Sequence, residues 1–159
     1  MKIIFLDIDG VLVPDYLKDG DEAFSSFNHW NAAPFSKSCM KVLNRILKKT
    51  GAKVVISSDW RVNYSFGDMR EIFKEAEIYG GEDTVIGFTK RSKYGSYERN
   101  RAEEIKEWAN IHRPEFWVAI DDLPLSPFLE EDHFVRCYDT NLGISAPGRE
   151  EELRIKLGN

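Results

Sequence analysis

Two carboxylates stand one residue apart in "LDIDG", Asp7 and Asp9, directly after an apolar run, with Gly10 closing the segment. A second pair, Asp121 and Asp122, ends the apolar run of "VAIDD", and two hydroxyls, Ser57 and Ser58, end "VVISS". Carboxylates brought together without a cation repel one another and resist ionisation. A hard divalent cation removes that conflict by accepting their oxygens, and magnesium is favoured where phosphate oxygens and waters complete the shell. Taken singly, each feature has a plainer explanation: Asp in an Asx-turn or helix cap, Ser in an ordinary turn. Chemistry becomes the better explanation only if the fold carries all three to one place.

The intervening pattern supplies such a fold. Short apolar, β-branched runs are expected as strands at about 2–7, in "AKVVISSD", at about 84–88, in "EFWVAIDD" and in "HFVRCYD". Between them, "SKSCMKVLNRILKKTG", "SFGDMREIFKEAEIYGG" and "SYERNRAEEIKEWANIH" space apolar residues as helices do, with Gly51 and the pair Gly80–Gly81 as stops. "REEELRIKLG" is expected as a short, frayed helix. Strands alternating with helices imply right-handed crossovers. The expectation is one three-layer α/β/α domain over 1–159, with a mostly parallel, five-stranded Rossmann-like sheet. Ligands of such sheets bind beyond the carboxyl ends of the strands, where strand order reverses, and that is where Asp7, Ser57, Ser58, Asp121 and Asp122 fall. Residues 13–34, turn-rich and carrying Tyr16, Phe24, Phe27 and Trp30, read as a structured loop excursion.

The motifs in this order resemble those of the haloacid dehalogenase (HAD) superfamily. The finer pattern of "ISSDWR", "RAEEIKEWA" and "VAIDD" is similar to the small phosphatase-like domains associated with RNA repair proteins. The resemblance covers about 2–142 and implies a magnesium-dependent phosphohydrolase. Carried onto this chain, it makes Asp7 the nucleophile that forms an aspartyl-phosphate, and Asp9 the acid that protonates the leaving oxygen and then deprotonates water. Dehalogenase members lack the second aspartate, so its presence points to phosphoryl transfer. A hydroxyl should hold a phosphoryl oxygen: position after the apolar run favours Ser57, whereas counting back from Trp60 favours Ser58, and both are kept with Ser58 ahead. Arg101 best matches the basic residue of the third motif, with Lys90, Lys93 and Arg99 as competitors. Asp7, Asp9 through its backbone carbonyl, Asp121 and Asp122 would hold Mg2+. The gaps between motifs leave little or no cap domain, so an open site is expected.

Substrates consistent with these features are a nucleotide or other small phosphomonoester, or a nucleic-acid end, with a catalytically silent binding module as the remaining alternative. The net charge of −5 disfavours broad binding along nucleic acid. Against it, residues 90–101 hold five cations and one carboxylate, a local net of +4 that is either a solvated loop or a phosphate-facing edge. Trp60 is expected to pack rather than to stack on a base, and Arg61 to be a surface charge or a phosphate clamp. His29, His112 and His133 show no metal-ligand spacing, and Cys39 and Cys137 read as small buried hydrophobes. No apolar run reaches the length of a membrane span. A cytoplasmic location is the default expectation.

Overall fold

The computed structural model describes residues 1–24, 34–93 and 95–159. Five strands, β1 (Lys2–Leu6), β2 (Lys53–Ile56), β3 (Val85–Phe88), β4 (Phe116–Asp121) and β5 (Phe134–Arg136), form one sheet in the order β3-β2-β1-β4-β5. Every pairing is parallel. The chain moves outward from β1 through β2 to β3, then crosses to the other side of β1 for β4 and β5. Strand order therefore reverses between β1 and β4, the position where open parallel sheets leave a crevice for a ligand.

Continuous apolar strands need cover on both faces, and side chains alternate to supply both. Ile4, Leu6, Val54, Ile56, Val118, Ile120 and Val135 share one core with α1 (Lys37–Thr50), α3 (Phe66–Glu75) and α5 (Arg149–Lys156). On the opposite face Ile3, Phe5, Val55 and Ala119 pack on α4 (Tyr97–His112) through Ala102, Ile105 and Ala109. Cys39 and Cys137 are buried and free, as small hydrophobes should be. Helix α1 begins where Ser36 Oγ accepts the Cys39 N–H and ends at Gly51, whose φ of 70° is the left-handed value glycine adopts most readily.

Three local expectations change. Helix α3 stops at Glu75, five residues before Gly80, because the Asn44 side chain captures the chain there: Nδ2 donates to Glu77 O and Oδ1 accepts from Tyr79 N. A one-turn helix not expected from the sequence, α2 (Trp60–Asn63), follows β2 at once. The last helix is not frayed. Leu153 and Leu157 are fully buried, and Asn159 donates to Lys49 O while accepting from Lys2 Nζ at 2.5 Å. Of the excursion, Tyr16 is exposed and Phe24 packs partly on the core. Phe27, His29 and Trp30 lie outside the described residues.

Candidate active site

Register alone gathers the site. Leu6 pairs with Ile56 on one side and Ile120 on the other, so the next residues, Asp7, Ser57 and Asp121, form a row across three strands. The backbone extends the ladder one step: Asp7 N donates to Ile120 O at 3.1 Å and Ser57 N to Leu6 O at 2.9 Å. Asp7, Asp121 and Asp122 each offer a carboxylate oxygen, and these oxygens lie within 4.8 Å of one another. Among the described residues this is the grouping that fits a cation, and its all-oxygen donors suit Mg2+.

After Asp7 the chain must turn sharply without leaving buried donors unpaired. Ile8 O accepts from the N–H groups of Val11, Leu12 and Val13, and Gly10 N donates to Val13 O. Gly10 has φ 77°, and a Cβ there would stand 2.8 Å from Asp122 Oδ2. Glycine is thus required twice, for the backbone angle and for the approach of Asp122 to the turn.

Arg101, from the second turn of α4, is buried, with 4 % of its side-chain surface exposed. Its Nη1 lies 2.6 Å from Asp121 Oδ2 and 3.5 Å from Asp7 Oδ1, and its Nη2 reaches Asp59 Oδ1 at 3.3 Å and the Tyr97 hydroxyl at 3.2 Å. Of the basic residues weighed for this position, Arg101 is the one that touches Asp7. Lys90, Lys93 and Arg99 make no such contact. One guanidinium does not offset two buried carboxyls. Burial first, then the charge of Asp121, pushes Asp7 well above the ordinary carboxylate range against the pull of Arg101. Burial likewise raises Asp121 to about 6, while Arg101 and the Leu123 N–H pull it down. The pair is short of positive charge.

Asp9 is set apart from that cluster. Its Oδ2 accepts a hydrogen bond of 3.1 Å from the Trp60 indole Nε1, and burial raises its pKa while this bond opposes the rise. Trp60 packs, as expected, against Phe35 and Tyr64, yet it also fixes a carboxylate. Its own N–H is accepted by Ser58 Oγ at 3.3 Å. Ser57 Oγ is buried and has no hydrogen-bond partner among the described residues. Arg61 is not a free surface charge: its guanidinium pairs with buried Glu104 and donates to Thr89. Asp59 and Tyr97, hydrogen-bonded to each other and to Arg101, were not singled out from the sequence. The available signal was their place, one residue past Ser58 and at the start of the helix carrying Arg101.

A family model described as "HAD domain in Swiss Army Knife RNA repair proteins" matches residues 3–147. The chain belongs to this HAD family. Neither curated proteins nor solved structures give a match to it. Membership agrees with the parallel sheet and with an acidic cluster at its switch point, and it supports phosphatase-type chemistry in an RNA-repair setting. In this HAD domain no helix among the described residues is long and apolar enough to cross a membrane.

Proposed function

We propose that this HAD domain is a magnesium-dependent phosphohydrolase that removes phosphate from a phosphomonoester, with a nucleic-acid end as the substrate its family favours. The observation that carries the reading is the contact of Arg101 with both Asp7 and Asp121 at the switch point, where a buried nucleophile candidate touches its own counter-cation. Asp7 Oδ attacks phosphorus as the bond to the leaving oxygen breaks, giving an aspartyl-phosphate. Asp9, held by the Trp60 indole, delivers the proton to the leaving oxygen. It then takes a proton from the water that attacks phosphorus and frees Asp7.

Asp7 and Asp122 are the ligands we assign to the metal, with the Asp9 carbonyl completing the protein's share. Asp121 is better suited to orientation, because Arg101 and the Leu123 N–H occupy its two oxygens. When bound, Mg2+ supplies positive charge that the two raised carboxyls lack and that phosphoryl oxygens require. Of the two hydroxyls, Ser57 is the one we assign to a phosphoryl oxygen, since its buried Oγ has no hydrogen-bond partner among the described residues. Turnover of an aryl phosphate with Mg2+, abolished by EDTA and by Asp7→Asn, is the expected result. A wild-type protein inert toward every phosphate ester tried would leave only the silent-module alternative.

A further inference from the structure

Beside the catalytic row, a cavity of about 250 Å3 opens between the end of β2, the loop 90–93 and the N-terminal turn of α4. Its walls include Asp59, Arg61, Arg91, Lys93, Arg101 and Glu104. The acidic members are already engaged. Glu104 accepts from Arg61 and from Ser92 N, and Asp59 accepts from Arg101 and the Tyr97 hydroxyl. Arg91 and Lys93 are exposed and have no ion-pair or hydrogen-bond partner among the described residues. Arg61, with 5 % of its side chain exposed, leaves its buried Nε without a hydrogen-bond partner. The cavity therefore presents two exposed, uncommitted cations, Arg91 and Lys93, beside acidic groups that already have partners, an environment for an anion.

Arg101 is a wall of this cavity and also touches Asp7 at 3.5 Å. An anion held there lies one side chain away from a phosphate attacked by Asp7, a separation suited to adjacent phosphates along a nucleic-acid backbone. We propose that this cavity binds a second phosphate of the substrate, the phosphodiester next to the terminal phosphate of a polynucleotide. The proposal rests on the phosphohydrolase reading for the place of the first phosphate. It also accounts for the concentration of positive charge at 90–101 in a chain of net charge −5. A strand end needs local charge at two phosphates, not charge along its length.

The test compares a nucleoside 3′-monophosphate, a nucleoside 3′,5′-bisphosphate and a 3′-phosphorylated dinucleotide, with wild-type protein and the double variant Arg91→Ala/Lys93→Ala. Wild type is expected to favour the dinucleotide over the monophosphate by about tenfold or more in kcat/KM, and the variant to bring that ratio toward one. Equal kcat/KM for the two substrates in wild type, or an unchanged ratio in the variant, overturns the subsite. Preference for the bisphosphate over the dinucleotide overturns the polynucleotide assignment. Binding of the same dinucleotide to the Asp7→Asn protein reads the subsite without turnover. There, Arg91→Ala/Lys93→Ala should weaken binding and reduce the slope of log affinity against log salt. An unchanged slope refutes the subsite even if the protein proves inactive, whereas a reduced slope with no hydrolysis refutes only the phosphohydrolase reading.

Discussion

Replacing Asp7 with Asn should make the metal-free protein more stable while abolishing turnover. In the fold, Asp7 and Asp121 share one buried guanidinium, and burial raises both carboxyls. For Asp121 alone, the rise from 3.8 to about 6 corresponds to roughly 3 kcal/mol of ionisation cost, at about 1.4 kcal/mol per tenfold change. Asp7 is pushed in the same direction. Asn removes one of the two repelling charges and leaves Arg101 its 2.6 Å contact with Asp121. The metal-free variant should therefore melt above wild type, by about 2–4 °C for each kcal/mol gained in a domain of this size. The sign with pH is set by the raised values. The contribution of these carboxyls is fully present below the unfolded carboxylate range, near pH 4, and is lost as pH rises through about 6 and above. The Asn variant should lose less over that window. Mg2+ should reverse the order, since a ligand at about 100 times its Kd adds about 2.7 kcal/mol to the wild type, and the variant lacks one carboxylate of the site. Thermal melts of both proteins at about pH 7.5, in EDTA and in Mg2+, provide the assay. An Asn variant that melts below wild type in EDTA, or equal Mg2+ shifts in both, would refute the reasoning.

Trp60→Phe keeps an aromatic ring in the core and removes the donor to Asp9. Hydrolysis of an alkyl phosphate should fall about tenfold or more, and that of an activated aryl phosphate much less, because a good leaving group needs little protonation; steady-state kinetics on the two ester classes check this. Gly10→Ala must place a Cβ 2.8 Å from Asp122 Oδ2 on a φ of 77°, so a loss of about 1–3 kcal/mol in denaturant melts and weaker Mg2+ binding by calorimetry are expected. Asp21 receives hydrogen bonds from Ser36 Oγ, Ser38 N and Ser38 Oγ. Burial alone would raise its pKa, but these donors prevail and hold it below the ordinary value. Its stabilisation is therefore present above the unfolded pKa and lost as pH falls through the lower folded one. Stability against pH should be flatter below about pH 4 in Asp21→Asn than in wild type.

Much of this architecture was legible because strand and helix periods, glycine stops and parallel-sheet topology leave few arrangements open. Asp7, Ser57 and Asp121 could be placed together because each follows or ends an apolar strand, and register does the rest. What the sequence could not display is side-chain direction. Nothing in the spacing of Asp9 and Trp60, 51 residues apart, indicates that the indole meets the carboxylate. The role of Arg61 is not legible from its neighbours in sequence, because its partner, Glu104, lies on a distant helix. The end of α3 does not follow the glycines, because a side chain from α1, Asn44, decides it before they do.

The central claim is that Asp7 carries the phosphoryl group. Its most direct test is acid quench of the enzyme during turnover of a substrate with a radiolabelled terminal phosphate, followed by peptide mapping. The account predicts a hydroxylamine-labile label on the peptide containing Asp7, absent from Asp7→Asn. Steady turnover with label on a different peptide would contradict it.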